Sequence, residues 1–199
     1  MFNVKDALGT SDICNCLGRA KMSQDPILGY LLPHETAYIM FKSGKETHLF
    51  TDLAYVSIRG VTAGTSRRFV DRIEYTETPI SDVCFETAGM GLSDRDVEFK
   101  FTMGNARISI DIWKNEIQTA LGYYRAILII SHEQAKNREL MALSVNALSR
   151  LMPTSIVSGP SNEQSAGEAV ALQAVKAASF LHRQFAPQSY KHVFEGLGL

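Results

Sequence analysis

The chain has 199 residues, of which 45% are hydrophobic, and this length is enough for one globular core with an appendage. Its 20 Lys and Arg offset 21 Asp and Glu, so no overall field would recruit nucleic acid or an anionic membrane. With three cysteines, no apolar leader at the N-terminus and no run near the roughly 18 apolar residues of a membrane span, we expect a cytoplasmic protein.

The first 30 residues contain no long hydrophobic periodicity, because Gly9, Gly18, Pro26 and Gly29 interrupt it. A short helix over residues 10–22 is predicted there, with Ser11 or Asp12 as its N-cap.

Seven strands are predicted next, at residues 35–42, 45–52, 54–59, 67–75 and 80–87 and as a pair within residues 97–112. In the final pair, apolar and polar side chains alternate, as in a hairpin with one buried face. The short connections favour antiparallel pairing. Seven twisted strands must close or form two layers, so the pattern predicts a small barrel or an orthogonal sandwich.

The hydrophobic period changes from two to about 3.6 after the last strand. This pattern predicts an amphipathic helix that docks on the apolar face of the sheet. The residues of the docking stripe, separated by four, four, three and four positions, are Trp113, Ile117, Leu121, Tyr124 and Leu128.

Several short motifs in the predicted strands resemble the bacterial pleckstrin-homology-like (PH-like) domain family over about residues 31–128. The motif residues are Phe50, Thr51, Asp52, Pro79, Phe85, Glu86, Thr87, Ala88 and Gly89. The resemblance implies a mostly β, α+β fold, namely a seven-stranded antiparallel split barrel capped by one helix. It also implies that the protein binds other proteins, forms cyclic rings through strand edges and has no enzymatic chemistry. The basic residues usual after the first motif are replaced by Leu53 and Ala54, which argues against a basic contact there.

Residues 132–199 are predicted to form a helical hairpin and a tail. In this they resemble some members of that family, which carry a C-terminal helical hairpin after the domain. A first apolar stripe includes Met141 and Val145 and stops at Pro153. A capping box at Ser161 and Gln164 marks the start of the second helix. The expected division is an N-terminal segment (1–30), a PH-like domain (31–131) and the hairpin with its tail (132–199).

The sequence shows no pattern of an enzyme or of a metal or cofactor site. The spacing of Cys14 and Cys16 is shorter than that of zinc ligands, and the five histidines stand at no ligand spacing. No nucleophile elbow, phosphate loop or dinucleotide fingerprint occurs. We therefore expect no catalytic residues, no metal and no cofactor.

Two functions stay open. The first is a non-enzymatic interaction and oligomerisation module that forms a cyclic homo-oligomer and contacts an unknown protein partner. The second is a peripheral membrane adaptor that binds anionic lipid or phosphoinositide headgroups. Its candidate anionic-ligand patch is Lys42, Lys45, Arg67 and Arg68. No stripe of basic and aromatic residues suggests nucleic-acid binding.

Overall fold

The computed structural model describes residues 12–60, 68–87, 96–151 and 163–199. The chain forms two compact units. The first contains Met1–His132 together with Gln188–Leu199, and the second contains Glu133–Pro187.

The first unit contains two antiparallel sheets, so the α+β class with a β-rich core is confirmed. The five-stranded sheet has the order β1 (Asn15–Cys16), β2 (Ala37–Lys42), β3 (Glu46–Thr51), β4 (Ala54–Gly60), β5 (Arg68–Glu74). The three-stranded sheet has the order β6 (Ile80–Glu86), β7 (Asp96–Met103), β8 (Ala106–Trp113). Eight strands thus occur in the described residues instead of seven, because the two-residue β1 is too short to produce a periodic pattern.

The segment around Cys14 joins the two sheets. The Cys14 N–H donates to the Asp111 carbonyl at 2.7 Å, and the Trp113 N–H donates to the Cys14 carbonyl at 3.2 Å. These bonds hold residues 14–16 extended, so the N-terminal helix α1 is shorter than predicted and spans only Arg19–Met22. A 3₁₀ turn follows at Pro26–Tyr30.

The core lies between the sheets and on a second face of the larger one. In β7 the residues Val97, Phe99, Phe101 and Met103 are buried and alternate with half-buried polar residues, as the hairpin pattern predicts. Strands β2 and β3 have consecutive buried residues instead, because residues from the N-terminal segment, including Ile27, cover their other face.

A long helix, α2 (Ile117–Leu151), packs against this core over its first four turns. Ile117 and Tyr124 from the predicted stripe are half-buried and contact the core, whereas Trp113 belongs to β8. Leu121 and Leu128 are half-buried. The buried face of α2 is offset by about one residue from the predicted face. The prediction used only large apolar residues, whereas the buried face includes small alanines, which allow the helix to lie close to the sheet. The members of the buried face are Ala120, Tyr123, Ala126, Ile127 and Ile130.

The chain continues with α3 (Glu163–Phe185) in the second unit and α4 (Lys191–Gly196) in the first. The turn between α2 and α3, including Pro153 and the Ser161 cap, lies outside the described residues. The helical hairpin therefore stays a prediction.

Candidate interaction surfaces

The two described lysines of the predicted anionic-ligand patch are already paired with carboxylates. The Lys42 ammonium forms an ion pair with Asp25, and Lys45 Nζ lies 2.8 Å from an oxygen of Asp12. Burial alone would raise the Asp25 pKa, but hydrogen bonds from Lys42 and the Ile27 N–H and the charge of Arg68 lower it on balance. Arg68 is exposed at the start of β5, and Arg67 lies outside the described residues.

The first family motif builds the turn between β3 and β4. Phe50 is fully buried in the core. The Thr51 hydroxyl oxygen accepts the N–H of Ala54 at 2.9 Å and that of Leu53 at 3.1 Å. Asp52 accepts the Thr36 N–H at 2.8 Å. These contacts are structural, since each satisfies backbone groups that the turn leaves without a ladder partner.

A buried ion pair supports the same turn. The Glu35 carboxylate is fully buried and accepts two hydrogen bonds, at 2.7 and 2.8 Å, from one nitrogen of Arg72. Thr51 donates to it as well. Burial alone would lower the Arg72 pKa, but hydrogen bonds to Glu74 and Glu35 outweigh burial and raise it.

The second family motif surrounds β6. Pro79 stands just before the strand, where no ladder bond is needed. Phe85 packs on Tyr124 with ring centroids 5.8 Å apart. Glu86 is paired with Lys100 at 2.7 Å. Thr87 is exposed after the strand, and Ala88 and Gly89 lie outside the described residues.

The C-terminal segment packs into the core of the first unit, which the sequence did not predict. Tyr190, Val193 and Phe194 are buried members of the main core. The Tyr190 N–H donates to the Asp52 carbonyl at 2.8 Å, and the Ser189 hydroxyl donates to the Asp52 carboxylate at 3.0 Å. The spacing of the three apolar residues, with steps of three and one, was the available signal.

The two sheets have four outer strands, of which β5 and β6 offer main-chain edges, whereas the bridge between Cys14 and Ile112 links the β1 and β8 sides. On β5, the outer strand of the larger sheet opposite β1, Phe69 and Val70 are 49% and 39% exposed. On β6, the outer strand of the smaller sheet opposite β8, a register shift interrupts the ladder between Ser81 and Cys84. Asp82, at this irregularity, has a φ of 51°. The bulge makes the β6 edge less suited than the β5 edge to pair with a strand of another chain.

The second unit exposes large apolar side chains. On α3, Leu172, Val175 and Phe180 are 55%, 61% and 59% exposed. On α2, Leu143 and Val145 are 58% and 47% exposed, although Val145 belongs to a stripe predicted to pack. Surface patches of such residues commonly mark contacts with another chain.

One cluster in the first unit could hold a metal ion. The ligand atoms of Cys14, Glu46 and His48 all lie within 4.8 Å of one another, with Cys14 and His48 buried and Glu46 half-buried. The three residues lie far apart in sequence or at strand spacing, so no linear zinc motif reveals them.

In the described residues, no helix has the length and apolar character needed to cross a membrane.

Comparison with known proteins agrees with this architecture. The family model for the bacterial PH domain matches residues 7–130, and the chain therefore belongs to the bacterial PH domain family. The chain is 32% identical over 147 residues to the uncharacterised protein YvbH of Bacillus subtilis strain 168. This match covers 73% of this chain and 71% of YvbH. A crystal structure of a PH-domain-containing protein from Exiguobacterium sibiricum 255-15 has a TM-score of 0.82 at 24% identity. That match covers 94% of this chain and 99% of the other, and it supports the fold alone.

Proposed function

We propose that this protein is a non-enzymatic interaction module that assembles into a cyclic homo-oligomer, with a second copy of the chain covering the exposed apolar face of α3. PH-like domains serve as modules that bind proteins or lipids, and the resemblance noted above extends this to ring assembly. The free thiols of Cys14, Cys16 and Cys84 agree with a cytoplasmic location.

The observation that supports the proposal is that α3 exposes three large apolar side chains on the side opposite its half-buried face. One face is half-buried and contains Ala174, Ala177, Leu181 and Phe185. At about 100° per residue, Leu172 lies roughly opposite the centre of that face, and Val175 and Phe180 flank it. Lys176 and Arg183 share this side of the helix, so the exposed surface is mixed, and its large apolar side chains are of the kind that commonly marks a contact with another chain.

A ring rather than a simple dimer would follow from contact between the different sheet ends of neighbouring copies. β5 presents an uninterrupted edge, and β6 presents an edge with a bulge, so the two sheet ends differ. A contact between two different surfaces of identical subunits is heterologous, and repetition of such a contact closes into a ring or extends as a filament.

The alternative function is a membrane adaptor, but two of the basic residues predicted to bind lipid headgroups already form ion pairs with carboxylates. Lys42 and Lys45 would have to leave Asp25 and Asp12 before they could bind a headgroup. Exchanging one carboxylate partner for an anionic phosphate yields little net energy for such exposed cations.

The test is the solution mass of the full chain by light scattering. We expect a discrete mass several times the 22.0 kDa of one chain. The double variant Leu172→Glu/Phe180→Glu should be reduced to a smaller species, because it places charges in the apolar contact. The control Gln173→Glu/Gln184→Glu adds the same two charges at exposed positions of the same helix without removing an apolar side chain.

A monomeric wild-type chain would contradict the proposal. Sedimentation of that monomer with phosphatidylserine vesicles at low salt, and release at high salt, would support the membrane adaptor instead. An oligomer that the double variant leaves intact would place the contact elsewhere, and the proposed α3 interface would be wrong.

A further inference from the structure

Three side chains of different types meet at one end of the larger sheet. Glu46 and His48 are alternate residues of β3, so their side chains point to the same face. Across the ladders, Cys16 pairs with Phe41 and Phe41 pairs with His48, which places the chain segment of Cys14 beside Glu46. The ligand atoms of Cys14, Glu46 and His48 lie within 4.8 Å of one another.

His48 supplies a second, independent observation. Its side chain is 6% exposed, and in the described residues its Nε2 atom has no hydrogen-bond partner. Nε2 is 3.2 Å from a carboxylate oxygen of Glu46, but the two are not aligned for a hydrogen bond. A buried ring nitrogen without a partner is destabilising, so a bound ion that accepts its lone pair would stabilise the site.

We propose that Cys14, Glu46 and His48 bind a zinc ion. Thiolate sulfur, carboxylate oxygen and imidazole nitrogen are the three common protein ligands of zinc, and three such ligands leave a fourth position for water or a further ligand. This site is separate from the proposed oligomer contact and needs no assembly.

The surroundings of His48 fit this role. Its other ring nitrogen, Nδ1, lies 2.7 Å from the Tyr55 hydroxyl, and the two rings are stacked. A histidine that binds a metal through Nε2 usually has its Nδ1–H bonded to a fixed acceptor, which orients the ring. The hydroxyl oxygen of Tyr55, which is buried in the core, is placed to accept from Nδ1–H in the tautomer that leaves Nε2 free to bind a metal.

The Cys14 thiol is unfavourable as an anion without a cation. Burial, and then the negative charge of Glu46, raise its pKa to about 12. When zinc binds, the sulfur–zinc bond forms and the thiol proton leaves to solvent, because the ion supplies the charge that burial withholds. The Glu46 side chain is 28% exposed, so one of the three ligands is in contact with solvent.

The competing interpretation is a metal-free cluster in which Glu46 and His48 form an ion pair and Cys14 is a packed thiol. Cobalt distinguishes the two, because a tetrahedral Co²⁺ site with one thiolate has a sulfur-to-cobalt charge-transfer band in the near ultraviolet. The full chain would be titrated with Co²⁺, and the bound ion would then be displaced with Zn²⁺ in competition with a chelator.

The variants locate the ion. Cys14→Ser should abolish the charge-transfer band, and Glu46→Gln should weaken Zn²⁺ binding about tenfold or more, since a ligand is lost. Cys16→Ser and Cys84→Ser are the controls, because they remove a neighbouring half-buried thiol and a remote exposed thiol. Both controls should keep the band and one Zn²⁺ per chain.

Circular dichroism of each variant would establish that it is folded. Glu46→Gln replaces one carboxylate oxygen of a half-buried side chain with an amide nitrogen and keeps its size. We therefore expect this variant to fold, so that it can test the proposal even if Cys14→Ser does not fold. Absence of a band in the wild-type chain would overturn the proposal. So would loss of the band in Cys16→Ser with retention in Cys14→Ser, or unchanged Zn²⁺ affinity in Glu46→Gln.

Discussion

Tyr38 and Phe194 stack face to face, with ring centroids 4.7 Å apart and planes inclined by 8°. Tyr38 lies on β2 of the larger sheet, and Phe194 lies on α4, five residues before the last residue of the sequence. Phe194 is fully buried. The last helix is therefore part of the main core of the first unit, and removal of residues 190–199 would open that core.

Phe194→Ala should lower the free energy of unfolding by about 3–5 kcal/mol, the usual cost of removing a buried phenyl ring. Urea denaturation followed by circular dichroism measures it. Leu197→Ala is the matched control on the same segment, because Leu197 is 40% exposed, and it should change stability by no more than about 0.5 kcal/mol. Equal effects of the two substitutions would contradict the docking of α4.

Asp52→Ala should destabilise the protein by about 1–3 kcal/mol, because it leaves the Thr36 N–H without its carboxylate and frees the Ser189 hydroxyl. The amide of Tyr190 should also exchange faster with deuterium, since the segment that positions it loses an anchor. Glu77→Ala alters an exposed acidic residue and serves as the control. Unchanged exchange at Tyr190 would show that the anchor is not needed.

Arg72→Met should cost about 3–5 kcal/mol, because it leaves the buried Glu35 carboxylate without its cation. Adding Glu35→Gln should recover part of this loss, since the uncompensated charge is then removed. The control is Arg59→Met, whose partner Asp71 and own side chain are more than half exposed, with an expected loss of about 0–1 kcal/mol.

The wild type, Arg72→Met, Glu35→Gln and the double variant form a double-mutant cycle, whose four stabilities are measured by chemical denaturation. Additive effects of Arg72→Met and Glu35→Gln would mean that the two groups do not stabilise each other.

Asp25 should contribute to stability at neutral pH and lose that contribution in acid. Its pKa is lower in the folded protein than in the unfolded chain, so the folded state holds the ionised form more strongly. The stabilisation is complete above the unfolded pKa of about 3.9 and disappears as the pH falls through the lower folded pKa. The gap in unfolding free energy between wild type and Asp25→Asn should therefore be largest near pH 7 and shrink below about pH 4. A gap independent of pH would contradict this.

Much of the two-sheet fold could be predicted from short-range patterns. The alternation from Val97 to Met103 predicted one buried face, and β7 has that face. The motif containing Phe50, Thr51 and Asp52 pointed to the bacterial PH domain family, which the family match confirms. Such features depend on residues a few positions apart, where strand and turn geometry decide the outcome.

Long-range placement was not predictable in the same way. The buried stripe of α2 includes Ala120 and Ala126, whose burial depends on how closely the sheet approaches and not on their own hydrophobicity. The pairing of Lys42 with Asp25 likewise depends on where the 3₁₀ turn places the carboxylate. In the sequence alone Lys42 belongs to a predicted basic patch, because nothing local shows that its charge is paired with a carboxylate.

The sequence by itself determined the positions of seven strands, the presence of a helix after them and the family, because each depends on local periodicity or on contiguous motifs. That this helix runs without a break from Ile117 to Leu151, across the predicted boundary at residue 131, was not predicted. Only the tertiary structure decided that Phe194 completes the core and that Cys14 meets Glu46 and His48. Those contacts join residues between about 30 and 160 positions apart, and their formation is governed by sheet register and chain closure, which no local pattern encodes.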